Sequence, residues 1–313
     1  MPKSDKKFDI LVAGEINPDL IVSDPKITLK FGQNESIVED VALTIGSSSA
    51  IFACGAAKLG LRVAFIGVVG NDEFGKFMLE SLKERHVDIS NVIYDQDIKT
   101  GLSVILNRGE DRAILTYLGT IDKLREDDVS NELLEECRHL HVASYFLQNR
   151  LRLGLPKLFS RAKDLGLTIS LDTNWDPDER WEGLNKVLPM TDVFLPNRNE
   201  LLSLTRTQSV DDALDEITKL VPLATVKLGA EGAIASNGKV KIQASPPPID
   251  EIADTVGAGD TFDAGFIYGY LSGWKLERTV KLAVACGSLS LRKHGGTAAQ
   301  PTLEEAERVA GLN

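Results

Sequence analysis

Short apolar runs rich in β-branched residues alternate with amphipathic stretches along most of the chain, the pattern of a mostly parallel sheet wrapped by helices. FDILVAG (8–14), VAFIGVVG (63–70), HLHVAS (139–144), LTISLD (167–172), DVFLP (192–196) and ATVKLG (224–229) read as buried strands. In 72–85, Phe74, Phe77, Met78 and Leu82 recur at helical spacing behind Asp72, which predicts a capped helix. SSSAIFACGAAKLG (47–60) is small and apolar and closes on Gly60, as expected of a helix packed tightly on the sheet. AIASNGKVKIQAS (233–245) predicts a hairpin turning at Asn237-Gly238. The fold class is α/β.

Two segments break the alternation. Residues 20–45 and 99–118 look like pairs of consecutive strands with no helix between, turning near Gly32-Gln33-Asn34 and near Gly109-Glu110-Asp111. A small antiparallel sheet inserted into the α/β domain accounts for both. Apolar on one face, such a sheet must cover a cleft, a partner subunit or both. SPPPID (245–250) is a stiff loop.

Charge and composition narrow the classes. The 313 residues hold 35 Lys and Arg against 46 Asp and Glu, a net charge of −11. No basic run offers a grip on a phosphate backbone, which argues against a nucleic-acid partner. MPKSDKKFDILVAGEI reads as a first strand rather than a signal peptide, because Gly14 and Glu15 interrupt the apolar run. No apolar run reaches the ~18 residues of a membrane span. Cys54, Cys137 and Cys286 are scattered without a CxxC pair, so reduced thiols in a cytoplasmic protein are expected.

The candidate chemistry lies in DTVGAGD, residues 254–260. A helix start leaves N–H groups unpaired and carries partial positive charge. Gly257 and Gly259 lack a Cβ, so with Ala258 they let a tetrahedral anion approach the backbone. Asp260 stands beside that anion. A carboxylate is a poor phosphate ligand, and its sensible task is to accept the proton of a hydroxyl attacking phosphorus. The plain alternative is a Gly-rich turn with Asp260 as a first-turn acid. Asp263 reads as a dipole-compensating acid. Neither GxxxxGK[ST] nor GxGxxG after the first strand is present, which leaves P-loop and nicotinamide chemistry without support.

DTVGAGDTFDAG resembles the C-terminal signature of the ribokinase-like (PfkB-type) carbohydrate and nucleoside kinases, and the likeness runs from about residue 8 to 302. It implies a Rossmann-like, mostly parallel sheet with helices on both faces. The whole chain, 1–313, would form one such domain, with a β-sheet lid inserted from about 17–45 and 98–119. Asp260 would be the base, and Gly257, Ala258 and Gly259 the anion hole for the γ-phosphate of ATP. LPNRNEL resembles the NxxE motif, so Asn197 and Glu200 would organise Mg²⁺ through water; a helix cap plus a first-turn acid fits them too. TVKLGAEG would place Lys227, Gly229 and Gly232 near nucleotide. GEINPD would supply Asn17 and Asp19 to substrate hydroxyls, and Gly46 and Ser47 belong to the sugar signature. Asp254 and Thr255 fall where several members hold a monovalent cation such as K⁺, and residues 294–300 would close the nucleotide pocket. The resemblance also allows a homodimer through the lid.

Three positions depart from the pattern. The usual GGxxxNxA reads GSSSAIFA, so Ser47 replaces a glycine and Ile51 an asparagine. Ser47, Ser48 and Ser49 either compensate for the lost hydroxyl contact or cap the helix. In DTNWDPDERW, Asp176 stands where acid-sugar kinases carry arginine, with Arg180 close by, which argues for a neutral acceptor by charge repulsion. Lys227 stands where ribokinases often have threonine. The expected activity is transfer of the ATP γ-phosphate to a hydroxyl, preferably primary, of a neutral sugar. A nucleoside acceptor is the alternative within the fold, and a non-catalytic sugar or nucleotide sensor the alternative outside catalysis.

Overall fold

The computed structural model describes residues 5–28, 31–108, 111–249 and 251–312. The chain enters through β1 (Phe8–Ala13), whose six residues are all buried. It continues with β2 (Pro18–Ser23), β3 (Asp40–Ile45), α1 (Ser48–Lys58), β4 (Val63–Ile66), β5 (Val68–Gly70), α2 (Glu73–Glu84), β6 (Ile93–Asp95), β7 (Leu102–Arg108) and β8 (Asp111–Tyr117). Then follow α3 (Asn131–Glu135), β9 (Cys137–Val142), α4 (Asn149–Asp164), β10 (Thr168–Leu171), β11 (Val193–Phe194), α5 (Arg198–Thr205) and α6 (Val210–Ile217). The last part holds β12 (Leu223–Lys227), β13 (Ala233–Ser236), β14 (Lys241–Ala244), α7 (Ala258–Leu271), α8 (Leu276–Ser290) and α9 (Leu303–Val309).

The large sheet has the order β14-β13-β12-β11-β10-β9-β1-β4. It is parallel from β4 to β12, and β13 and β14 close one edge as an antiparallel hairpin. Parallel strands covered on both faces need apolar residues at every position, and β1 meets that demand. Its Ile10 and Val12 face a core with Phe52 of α1, Met78 of α2, Phe266 of α7 and Leu282 of α8. Its Leu11 and Ala13 face the opposite core with Leu158 and Phe159 of α4, Leu201 of α5 and Leu214 of α6. Helices therefore cover both faces. Cys54, Cys137 and Cys286 are buried free thiols.

The expected single strand over 63–70 is two. Gly67 breaks it, because a Cβ there would sit 2.5 Å from the carbonyl oxygen of Gly14 and 2.9 Å from Ile16. The chain bends at this crossing, and β5 leaves the large sheet to pair with β6. The hairpin turn after β13 uses Gly238 at φ +77°. Asn237 Oδ1 accepts from the N–H groups of Lys239 and Val240 at 3.1 and 3.0 Å.

The second sheet, β3-β2-β7-β8, comes from the two segments without helices. Its outer pairs are antiparallel, but β2 and β7 run parallel, so the sheet is mixed rather than antiparallel. The chain leaves β3 through α1 and returns to β7 much later, a crossover that two local hairpins would not need. Gly32 and Gln33 turn with φ of +92° and +61°; Gly109 and Glu110 of the other turn lie outside the described residues. Ile21 and Ile105 are buried on the inner face, whereas Val41, Leu43, Leu115 and Tyr117 leave the outer face apolar and exposed. No helix among the described residues is long and apolar enough to cross a membrane.

Candidate active site

The candidate residues gather where the parallel strands end. Glu15 follows β1, Ser144 follows β9, Asp172 follows β10, Asn197 follows β11 and Lys227 closes β12. That edge is where ligands bind open α/β sheets. α7 starts against it with Gly257 as its N-cap at φ +72° and no side chain capping its first turn. The two glycines of this turn differ in what the chain asks of them. A Cβ on Gly257 would meet Gly296 Cα at 2.6 Å and Ile51 Cγ2 at 3.0 Å. A Cβ on Gly259 would make only ordinary contact, 3.6 Å from Lys227 Cδ. Packing and backbone require the first glycine; no described residue requires the second.

Gly259 instead lines a cavity of about 540 Å³. Lys227, Gly229 and Gly232 line it, as do Thr255 and Ala258. The remainder is apolar: Pro246 and Pro247 from the proline loop, then Ile249, Ile252, Phe262, Val284 and Leu291. These apolar walls were not legible as a site, because no spacing joins the proline loop to α8. Residues 294–300 do not line it. Gly296 backs Gly257, and Gln300 Nε2 donates to the Ile51 carbonyl at 2.9 Å and to Thr261 Oγ1 at 3.1 Å. This segment braces the turn rather than closing the cavity.

Beside the turn sits a dense charge cluster. Carboxylate oxygens of Asp172, Asp260 and Asp263 lie within 4.8 Å of one another. Lys227 Nζ is seated among them, 2.8 Å from Asp172 and 3.0 Å from Asp263, with 14% of its side chain exposed. Asp263 is therefore an ion-pair partner inside the core, not a solvated dipole-compensating acid. Burial opposes ionisation of Asp172, yet the charge of Lys227 holds its carboxyl below the usual range. Burial pushes the Asp263 carboxyl well up, opposed by the charge of Lys227 and reinforced by the neighbouring Asp172. Burial also pushes Asp260 up to about 8, helped by the neighbouring charge of Asp172 and opposed by Lys227 and a hydrogen bond from Ser48.

Asn197 and Glu200 form a capping box at the start of α5. Glu200 N donates to Asn197 Oδ1 at 3.0 Å, and Asn197 N donates to Glu200 Oε2 at 2.8 Å. Burial, then the charge of Asp172, raises Glu200 to about 7. Asp254 ties two loops, accepting from Val256 N at 3.0 Å and Gly295 N at 2.8 Å.

The other side of Asp260 is polar and closed in. Gly46 lets β3 turn onto β2: a Cβ would sit 2.2 Å from Asp19 Oδ1 and 2.9 Å from the Asn17 carbonyl. Asn17 and Asp19 are buried, and burial lifts Asp19 to about 7 against the pull of Arg112. Ser47 occupies a left-handed φ of +67°, which explains why a glycine suits this position. Its hydroxyl is spent on the fold, donating to the Glu15 carbonyl at 2.7 Å and accepting from Ala50 N at 3.0 Å. Ile51 packs against Gly257 and Gly296, so it backs the turn.

Sequence reasoning missed the network that holds this side together. Glu15 is buried and accepts from Ser49 Oγ at 2.6 Å and Ser144 Oγ at 2.9 Å. Asn174 Nδ2 donates to Ser144 Oγ at 3.2 Å and Ser48 Oγ at 2.5 Å, and Ser48 in turn bonds to Asp260. Asn174 at φ +52° was the one available signal, an asparagine in a left-handed turn at a strand end. Asp176 has no place in this network. It is buried and accepts from the N–H groups of Asp178, Arg180 and Trp181 at 3.0, 2.8 and 2.7 Å. A carboxylate spent on its own loop gives no ground for repelling an acidic acceptor.

Comparison with known proteins decides the family. The model of the pfkB family carbohydrate kinases matches residues 7–303. The chain belongs to that family. It is a sugar kinase, a phosphotransferase with an alcohol group as acceptor. The 2-dehydro-3-deoxygluconokinase of Bacillus subtilis is 31% identical over 267 residues, 81% of this chain and 82% of that one. An apo E. coli structure described as a ribokinase II matches with a TM-score of 0.88 at 25% identity, over 98% of this chain and 100% of that one. A double-mutant fructokinase of Vibrio cholerae in fructose-, ADP- and potassium-bound form matches with a TM-score of 0.83 at 25% identity, over 98% and 100% of the two chains.

Proposed function

We propose that this kinase transfers the γ-phosphoryl group of ATP to a hydroxyl, preferably primary, of a sugar bound between Asp260 and the lid. The reading rests on one observation above all: Asp260 follows Gly259, which lines the apolar cavity with no packing need to be a glycine, and is itself bonded to Ser48 on the polar side. Asp260 takes the acceptor proton as the acceptor oxygen bonds to phosphorus and the bridging oxygen leaves with ADP. Ser48 and Asn174 aim the carboxylate. The N–H groups of the α7 start receive the charge of the transferring group. The cavity accepts the adenine between the proline loop and α8, with Gly229, Gly232 and Thr255 toward the phosphates. Asn17, Asp19 and Gly46 form the acceptor pocket.

Mg²⁺ bound with ATP would neutralise phosphate charge. Asn197 and Glu200 are held by each other in the capping box, which suits contact through water rather than direct ligation. Asp254 is the candidate for a monovalent cation such as K⁺, supported by the potassium named with the fructokinase relative. The exposed apolar outer face of the lid supports a homodimer formed there.

Two alanine substitutions test the anion hole. Gly257→Ala forces a left-handed φ and a clash, and is expected to destabilise the fold by about 1–3 kcal/mol. Gly259→Ala is expected to leave the melting temperature unchanged or slightly raised, yet to weaken ATP use at least tenfold because its methyl occupies the phosphate approach. Thermal melts and ADP release read both, and normal ATP kinetics in Gly259→Ala would end the anion-hole reading. Acceptor identity is read in the same assay with sugars, acid sugars, sugar phosphates and nucleosides.

The pH profile follows from Asp260. A base works ionised, and its carboxyl titrates at about 8 in the free protein, so kcat/KM should rise with pH through that value. Asp172→Asn removes a charge that raises Asp260, and the rise should shift to lower pH. A profile flat from pH 6 to 9 would contradict the assignment.

A further inference from the structure

We propose, resting on the kinase reading above, that the acceptor is anionic and that Arg112 on the inner face of the lid binds its carboxylate or phosphate. Residues paired across strands share a face. Asp19, Ser103 and Thr116 form one row across β2, β7 and β8; Ile21, Ile105 and Ile114 form the next; Ser23, Asn107 and Arg112 form the third. Asp19, Ile21 and Ile105 are buried, which identifies this face as the one turned to the acceptor pocket. Arg112 therefore lies on that face, exposed on the edge strand β8, with Asn107 paired beside it.

No described residue uses that guanidinium. Among the described residues it has no ion-pair or hydrogen-bond partner, although the pocket is rich in acids. Glu15 and Asp254 are already satisfied by hydroxyl and backbone donors. Asp19 feels the charge of Arg112, but the two do not meet in an ion pair, and Asp19 stays raised to about 7. A gap of one row, Ile21–Ile105–Ile114, separates the row of Asp19 from the row of Arg112. An acceptor with hydroxyls at Asp19 and an anion at Arg112 spans it.

Arginine matches carboxylate and phosphate oxygens two at a time. A neutral sugar leaves Arg112 in water, whereas an anionic acceptor pairs with it, so the same residue favours the anion. Asp176, the feature that pointed to a neutral acceptor, is folded into its own loop. The lid thus supplies a cation without a partner among the described residues, whereas Arg180 of the loop after β10 pairs with Asp178 at 3.3 Å.

The test compares 2-dehydro-3-deoxygluconate (carboxylate), fructose 6-phosphate (phosphate) and the neutral sugars fructose and ribose, with the wild type, Arg112→Leu and Arg112→Lys. One anionic acceptor should have the highest kcat/KM, and which one it is separates the two anions. In Arg112→Leu its KM should rise about 10- to 100-fold with little change in kcat, collapsing the preference for anionic over neutral acceptors. Arg112→Lys should restore part of that preference. A neutral sugar as best substrate, or equal losses on neutral and anionic acceptors, would overturn the proposal. Calorimetric binding of the same compounds keeps the two readings apart. Anion binding lost in Arg112→Leu without phosphoryl transfer would sink the kinase assignment but uphold Arg112; transfer without anion preference would do the reverse.

Discussion

Replacing Asp260 with asparagine is expected to lower kcat by about 10²- to 10⁴-fold, the usual contribution of a positioned base, while ATP binding persists. The substitution keeps the shape of the side chain and an amide oxygen to accept from Ser48. It removes only the ability to take a proton. Stability should not fall with activity, since Asp260 is a carboxyl whose ionisation the fold resists. Its folded value, about 8, lies above its ordinary one, so the folded form binds the proton more tightly than the unfolded chain. Stability contributed by that proton is present at low pH and lost as pH rises through about 8, where the wild type must carry the charge beside Asp172. Asp260→Asn should therefore melt at or above the wild-type temperature at pH 8 and closer to it at pH 5. ADP release and calorimetric melts check both halves, and a kcat within threefold of the wild type would remove Asp260 from the chemistry.

Local signals and long-range contacts were not equally legible. β1 and α2 could be read because one strand and one helix each carry their own periodicity, and Asp72 caps α2 as its position implies. The break at Gly67 could not, since its cause is a carbonyl fifty residues earlier in the chain. The parallel pairing of β2 with β7 was hidden for the same reason: strand pattern carries no direction. In the site, the glycines and Asp260 stood out because a helix start explains only part of them. Ile51 stood out only as a departure from a motif, and its packing against Gly296 could not be read from the sequence. Asp176 looked like a selectivity residue and proved to be a loop cap. Glu15 and Asn174 were missed because single buried polar residues have no pattern until their partners are known.

Lys227 is the residue whose loss should cost the fold most. It is the cation in a cluster that also holds Asp172, Asp263, Asp260 and Glu200, and the charges of Asp172 and Asp263 overcome burial to hold it protonated. Lys227→Met keeps the length and removes the charge. Breaking a buried ion pair from one side typically costs about 3–5 kcal/mol, because the remaining charge is stranded. Here the acids can escape by protonating, and that gives the loss a pH signature. Without Lys227 the carboxyl groups it holds down should rise, Asp172 from below its ordinary value and Asp260, Asp263 and Glu200 further above theirs, so the folded form takes up protons relative to the unfolded chain. The stability deficit of Lys227→Met should then be largest near pH 8 and shrink toward pH 5, as measured by denaturant titration at several pH values. A deficit independent of pH would mean that packing of the side chain, not its charge, is what the cluster needs. If the deficit follows the expected course, the acid group next to the base cannot gather without this lysine. The departure from threonine at position 227 would then be part of how this chain sets the proton affinity of Asp260.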